Sequence, residues 1–445
     1  MRRIASVLLF SIGSLLLVLI LGRYFPKYHG MLGYLMFYLI MDLYLWYSIK
    51  RTSCYDHTFL RILLIILFWL PLTLLVSMII FGLFYSFIQW NITLRTWLIS
   101  LIIVTFLSKT FPLLSLFISD VICFMKRLVR KAKVERSLNL VKKNRSLLFS
   151  GWIIGGICWI ILVVGMIIGP YHFVTKNIII PIQDLPRSLN HLRIVHISDI
   201  HLGSWNNKKE LDRAVGIINS LNPDLILFSG DLFNFSTCDG FGFQPLLSKL
   251  QAKHGIFAVL GNHDYGDYIR WRSPYMKIKN MKDCELFYRR IGWTLLRNES
   301  ALVEINGDTL ALAGVENWGK AKRFQKLADL DRALKGINRH QIKILLAHDP
   351  TYWDQVVSVR YKNITLTLSG HTHGGQVGFM AKYFHFSPVS IFYPQWSGLY
   401  TSRDGSRTQV LYVNQGLGVI GYSGRVGIYP EITCLVLTKD SCPIK

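Results

Sequence analysis

Five short segments in the second half of this 445-residue chain carry residue types that hold divalent cations. They are Asp199-Ile200-His201, Gly230-Asp231, Gly261-Asn262-His263-Asp264, His348 and Gly370-His371-Thr372-His373. With His263 and Asp264 set aside for chemistry, the donors are the carboxylates of Asp199 and Asp231, the amide oxygen of Asn262, and the imidazoles of His201, His348, His371 and His373. Mixed oxygen and nitrogen donors without thiolates suit manganese, iron or zinc and argue against a structural zinc knot. The set is large enough for two divalent metal ions. Two cations about 3.5–4 Å apart clamp a phosphoryl group while a shared water loses its proton and attacks in line. Asp231 has two carboxylate oxygens and could bridge the pair. Asp199 and His201 are one residue apart, so an extended segment would point both to the same side. The leaving oxygen needs a proton, which His263, beside Asn262, is close enough to supply. Asp264 could orient the His263 ring.

Elements that would position these donors are visible in the flanking residues. Each motif follows an apolar run: LRIVHIS (192–198) before Asp199, DLILFS (224–229) before Gly230, and GIFAVL (255–260) before Gly261. IKILLA (342–347) precedes His348, and ITLTLS (364–369) precedes Gly370. Such runs read as strands buried on both faces. IIIP (178–181), TQVLYV (408–413) and ITCLVL (432–437) add further strands. Residues 210–221 have helical spacing, with Leu211, Ala214, Val215, Ile218 and Leu221 on one stripe. Alternating strands and helices predict an α/β domain. Ligands gather at the carboxyl ends of strands in such folds, so five strand ends can bring their donors to one point. Gly230, Gly261 and Gly370 permit the tight turns this crowding needs.

The ordered set D-I-H, G-D, G-N-H-D, a lone H and G-H-T-H resembles the calcineurin-like metallophosphoesterase family. The resemblance extends over about residues 176–437. Its flanks, IPIQDLPRSLNHLRIVHISDIHLG, GHTHGGQVG, VNQGLG and PEIT, look like the membrane-associated branch of that family. It implies two mixed β-sheets sandwiched by helices. It also implies a first metal held by Asp199, His201, Asp231 and His373, and a second held by Asp231, Asn262, His348 and His371. Asp231 would bridge them and His263 would be the catalytic imidazole. Gln415 stands where the family often has a basic residue, which puts one phosphate contact in doubt. A similarity to hydrolases that cleave UDP-diacylglucosamine makes a nucleotide–lipid pyrophosphate one specific substrate to weigh.

The first 170 residues tell a different story. The chain is 51% hydrophobic and 17% charged, apolar for a soluble protein. Its formal charge of +24 divides into +14 over residues 1–170 and +10 over the remainder. The densest basic run flanks an apolar span, which favours a role in membrane orientation over nucleic-acid binding. Uncharged or weakly charged stretches at 4–22, 31–49, 62–84, 95–118 and 147–169 predict about five transmembrane helices. The length of the first run and the spans directly behind it favour a span over a cleaved signal peptide. The expected division is a transmembrane region over 1–170, a linker and first strand over 171–190, and the metallophosphoesterase domain over 191–445.

With the N-terminus in the cytoplasm, Lys50, Arg51 and Arg61 fall inside, as does the run from Lys126 to Arg145. The opposite side receives only Arg23, Lys27 and Arg95. This arrangement predicts a catalytic domain on the extracytoplasmic side. That topology argues against a substrate made and held in the cytoplasm.

The function expected is a membrane-anchored phosphoester hydrolase acting on a phosphodiester or pyrophosphate, with a lipid-linked ester as one case and the bilayer as a second partner. A transporter or receptor with a regulatory metallophosphoesterase domain is the competing class. Asp42 and Lys109 bear on it, being ionisable groups inside predicted spans. Seven cysteines are scattered without a C-x-x-C pair, and Cys434 and Cys442 could pair in an oxidising compartment. His196 reads as a core residue, and His254, His340 and His385 as surface ones. Arg270 and Arg272 are expected on a solvated face. The aromatic-rich stretch 379–400 is either a rim for an acyl chain or bilayer, or a loop packed on its own core.

Overall fold

The computed structural model describes residues 29–50, 57–85, 90–132, 145–319, 325–381, 384–404 and 407–439. The chain divides into two compact units, Met1–Val164 and Gly165–Lys445.

Four long helices occupy the described part of the first region: α1 (His29–Ile49), α2 (Thr58–Phe84), α3 (Ile92–Ala132) and α4 (Arg145–Ile167). Three stretches, Thr58–Gly82, Ile92–Lys126 and Ser146–Tyr171, are long and apolar enough to cross a bilayer. The span expected at 4–22 lies outside the described residues. The one expected at 31–49 is helical as α1 but is not among those three. The span expected at 95–118 is part of a 41-residue helix that runs straight through Pro112. At 1.5 Å per residue α3 is about 60 Å long, roughly twice a bilayer core. The basic run therefore begins on helix rather than in a loop, with Lys126 and Lys131 both on α3.

Lys109 and Asp42 explain each other. The Lys109 ammonium donates to Asp42 Oδ1 at 2.9 Å and to the Phe68 carbonyl at 2.9 Å, and it sits 4.1 Å from the Phe68 ring centroid. One cation thus ties α1, α2 and α3 together. Removing one partner of a buried pair leaves the other charge stranded, at a cost of about 3–5 kcal/mol. Lys109→Met is expected to lower the thermal transition of the detergent-solubilised protein, and Lys109→Met with Asp42→Leu to recover most of it. Equal transitions for wild type and Lys109→Met would refute the pairing.

The second unit is built on two mixed sheets. In the first, β1 (Val174–Pro181) runs parallel to β14 (Glu431–Thr438), which pairs antiparallel with β2 (Arg193–Ile197). Parallel strands β3 (Leu225–Phe228), β4 (Ile256–Ala258) and β5 (Thr294–Leu295) complete it. The second sheet has the order β12 (Gly398–Asp404), β13 (Arg407–Val413), β9 (Leu366–Ser369), β8 (Lys343–Leu346), β7 (Asp308–Gly314), β6 (Glu299–Ile305). A small hairpin, β10 (Phe379–Met380) with β11 (His385–Phe386), stands apart.

The period of two along a strand sorts side chains between two cores. Ile194, Leu225 and Leu227 meet Leu312, Ile344, Leu346, Leu366 and Leu368 between the sheets. Val195, Ile197, Ile226 and Phe228 face the other way, against Leu211, Val215 and Ile218 of α5 (Lys208–Ser220) and Phe287 of α6 (Pro274–Arg290). Leu345, Leu411 and Val413 pack outward against Tyr352, Trp353 and Val357. Both faces of the central strands are covered, which is why their sequences are unbroken apolar runs. The expected sandwich of mixed sheets and helices is the observed fold.

His196 is in the core, its Nε2 2.9 Å from Ser229 Oγ, and burial pushes its pKa down to about 3. Cys434 is a free buried thiol on β14, and Cys442 lies outside the described residues.

Candidate metal centre

The motifs sit at the carboxyl ends of β2, β3 and β4 in one sheet and of β8 and β9 in the other. The two sets of ends converge, and two triads of ligand atoms result. Asp199, His201 and His373 each place one donor atom within 4.8 Å of the other two, and Asp231, His348 and His371 do the same. Asp231 reaches both groups, with its Oδ2 3.1 Å from His348 Nε2 and 3.7 Å from His201 Nε2. His201 Nε2 and His373 Nε2 face each other at 3.0 Å, and His371 Nδ1 lies 3.2 Å from His348 Nε2. Lone pairs crowded this closely beside carboxylates fit a cation between them.

Asn262 adds an independent sign. Its Nδ2 donates to the Tyr268 hydroxyl at 2.7 Å, which fixes the amide, and its Oδ1 is buried without a partner. A buried acceptor left unpaired costs about 1–3 kcal/mol unless something meets it. The donor set and this orphaned oxygen fit two divalent metals.

The local backbone differs from the extended geometry expected for Asp199 and His201. Both residues are left-handed, with φ of 49° and 48°, and so are Asp231 at 61°, His371 at 71° and His373 at 51°. Side-chain alternation along a strand therefore does not bring Asp199 and His201 together; tight left-handed turns just past the strand do. Left-handed backbone in non-glycine residues costs of order 1–3 kcal/mol each and persists at sites whose surroundings over-determine it. The motif glycines serve the same crowding. A Cβ on Gly261 would collide with the Asp231 carboxylate, and one on Gly370 with that of Asp199.

Charges alternate through the cluster. Burial raises the pKa of the Asp199 carboxyl, but the imidazoles of His373 and His348 outweigh it and hold the group below the usual carboxylate range. Asp231 is buried as deeply, and His348, His263 and His201 hold it well down. Burial depresses His201, His263 and His371. For His348 burial is outweighed by Asp231, which raises it to about 10.

His263 belongs to neither triad. Its N–H donates to Asp231 Oδ1 at 2.8 Å, which seats the Asn262–His263 turn on that carboxylate. Its ring lies 5.0 Å from the ring of His201 and is only partly buried. The ring nitrogen Nδ1 is 2.6 Å from the Asn234 carbonyl. A carbonyl only accepts, so Nδ1 carries the proton and Nε2 is the exchangeable position.

This corrects the role expected of Asp264. Its carboxylate accepts N–H groups from Asp231, Leu232, Phe233 and Gly261 at 2.9–3.0 Å, which locks the two loops that carry Asp231 and Asn262. Ring orientation falls to Asn234 instead.

Other positioning groups had no legible mark in the sequence. The Ser229 carbonyl fixes His348 through Nδ1 at 2.8 Å. The Tyr393 hydroxyl meets His371 Nε2 at 2.9 Å, with Asp349 Oδ2 at 3.7 Å. Arg425 is fully buried; its guanidinium donates to the carbonyls of Gln415, Gly416 and Gly418 and lies beside His373. Gln415 is buried against Ser397. Arg270 and Arg272 are exposed.

Tyr268 acts twice. Its hydroxyl holds Asn262, and its ring stacks on His263 at 4.0 Å between centroids and 10° between planes. Loss of an outer-shell hydrogen bond typically weakens metal affinity about 10–100-fold. Tyr268→Phe keeps the stack and is expected to lose affinity in this range for one of two manganese ions, read by calorimetric titration of the apo-protein. Unchanged affinity for both ions would refute the role.

Comparison with known proteins agrees with the geometry. The family described as "Calcineurin-like phosphoesterase" matches residues 192–375. The one described as "Probable Calcineurin-like phosphoesterase, transmembrane domain" matches residues 28–170. The chain is 34% identical over 271 residues to the "Transmembrane protein with metallophosphoesterase domain" of Danio rerio, covering 58% of this chain and 56% of that one. It is 29% identical over 317 residues to the protein of the same name from Bos taurus, covering 68% and 66%. The match to "Uncharacterized metallophosphoesterase YkuE" of Bacillus subtilis is 28% over 280 residues, covering 61% and 88%. The chain thus spans less than two thirds of the two animal relatives. A calcineurin-like phosphoesterase domain carrying two candidate metal triads thus follows, in this chain, a transmembrane domain of the kind found in such phosphoesterases.

Proposed function

We propose that this protein hydrolyses a phosphodiester or pyrophosphate, with a lipid-linked ester as the specific case, using two divalent metals of which manganese is the first choice and iron or zinc the alternatives. The observation that carries the reading is the pair of triads joined by Asp231, with His263 beside them and outside both. Asp199, His201, Asp231 and His373 would hold one ion, and Asp231, Asn262, His348 and His371 the other. When bound, the pair supplies Lewis-acid polarisation of the phosphoryl oxygens and lowers the pKa of water. The protein's own part is positional. The Ser229 and Asn234 carbonyls, Asp264 and Tyr268 fix the donors and the His263 ring. His263 delivers a proton from Nε2 to the leaving oxygen while Nδ1 stays bonded to Asn234.

The test is turnover of the purified full chain, stripped with a chelator and reloaded with manganese, iron or zinc. Substrates are phosphomonoesters, phosphodiesters and pyrophosphates. Hydrolysis restored by manganese on a diester or pyrophosphate supports the reading; hydrolysis of monoesters alone would sink it.

The predicted side of the membrane is extracytoplasmic, argued from the placement of Lys and Arg between the spans. Tyr275→Cys, at an exposed position on α6, in a background with the native cysteines changed to serine, exposed Cys238 included, would be labelled by an impermeant maleimide added outside intact cells. Labelling only after lysis would place the domain in the cytoplasm. The spans act as an anchor in this reading, because the Asp42 and Lys109 charges hold three helices to one another.

A further inference from the structure

The wall that follows the last metal motif presents an apolar face that the hydrolytic machinery does not use. Phe379 and Phe386 are directly paired across β10 and β11, so their side chains share one side of the hairpin. Phe384 is two residues before Phe386, which puts it on the same side, and its ring lies 6.3 Å from that of Phe379. These three are 57%, 46% and 60% exposed for Phe379, Phe386 and Phe384, while Ile391 and Phe392 are 74% and 73% exposed. Among the described residues from Gly378 to Ser397, none carries a full charge, and His385 is the one titratable imidazole.

The segment that carries these side chains is tied to the metal centre. Tyr393, next to Phe392, puts its hydroxyl 2.9 Å from His371 Nε2, and Thr372 Oγ1 donates to the Trp396 carbonyl at 2.6 Å. Contiguous exposed apolar surface on a folded domain marks an interaction site. The chemistry of its occupant follows from three features. Among its described residues the wall offers no cation for a second polar headgroup. It ends on a candidate metal ligand, so its occupant lies beside the phosphate. The same chain carries helices long and apolar enough to cross a bilayer, so it shares a membrane with water-insoluble phosphoesters.

We propose that Phe379, Phe384, Phe386, Ile391 and Phe392 form a subsite for the hydrocarbon chain of an amphiphilic phosphoester whose phosphate lies at the metal centre. This rests on the phosphoesterase reading above and adds the class of substrate. The chain lies along the aromatic face while the ester oxygen to be cleaved stays beside His263. Specificity then comes from apolar burial, which grows with chain length.

The experiment uses manganese-loaded full chain in detergent and a series of p-nitrophenyl alkyl phosphodiesters with ethyl, octyl and hexadecyl groups. The variants are Ile391→Ser/Phe392→Ser and Phe384→Ser/Phe386→Ser. Each rate is expressed as variant over wild type on the same substrate, which cancels partition into micelles. The expected result is an unchanged ethyl ester and a loss of about 10-fold or more in kcat/KM on the hexadecyl ester for each variant. Ratios near one on every ester would overturn the subsite. So would a drop in oligomer mass of the variants with no change in hexadecyl preference, which would identify a second copy of the chain as the occupant. Failure of wild type to cleave even the ethyl ester would instead remove the phosphoesterase reading.

Discussion

Asp231→Asn should lose phosphodiester hydrolysis almost completely, by about 10³-fold or more in kcat. Asp231 places one carboxylate oxygen near imidazoles of both triads, with Oδ2 near His348 and His201, and its Oδ1 accepts the His263 N–H. An amide there has one acceptor oxygen in place of two and no charge, so it cannot serve two cations at once. Two-metal charge stabilisation is worth several kcal/mol, and each 1.36 kcal/mol is tenfold in rate. The variant should also bind fewer than two manganese ions per chain by elemental analysis. The fold should persist, because Asp264 accepts four of the N–H groups that lock the two loops and an amide oxygen at position 231 can still accept the His263 N–H. Full activity with two ions bound would refute the bridging assignment.

His263→Gln should behave differently. The metal content should remain at two ions, since His263 is in neither triad, while kcat on an alkyl leaving group falls about 10²–10⁴-fold, the usual range for loss of a general acid. A p-nitrophenolate leaving group needs no proton, so its rate should fall far less. That contrast separates a proton donor from a metal ligand. A ligand would lose metal and slow both substrates alike. Equal loss on both substrates with metal retained would remove the proton-transfer role and leave only transition-state charge stabilisation. Asn234 enters through its backbone carbonyl, so side-chain changes there are predicted to matter little to the His263 tautomer.

The chemistry-bearing residues were legible because each stands directly behind an apolar run. A strand buried on both faces writes itself as consecutive Leu, Ile and Val, and its end is where the chain must turn. The eight runs read as strands all appear, from IIIP to ITCLVL. Strands β5, β6 and β12 were less legible, since edge strands are polar on one side and lack that signature; β7 is interior, but its DTLALAG is mostly small residues. The helical region was legible as apolar length, although α3 continues to Ala132 because nothing in its basic C-terminal turns breaks a helix.

By itself the sequence determined which residue types could hold metals, their order, the α/β class of the domain and the apolar character of the first region. All of these follow from composition and periodicity, which are local. The tertiary structure decided how the donors are shared, which at the level of sequence was implied only by resemblance. It put Asp199, His201 and His373 in one triad and Asp231, His348 and His371 in another, across two sheets whose strand ends meet. It replaced the extended geometry of Asp-x-His by left-handed turns, moved Asp264 from the His263 ring to four backbone N–H groups, and brought Asn234, Tyr268, Tyr393 and Arg425 to the ligands. Such partners are joined by backbone carbonyls and single hydroxyls between segments far apart in the chain, and no pattern of residue types records a contact made only when two sheets close on each other.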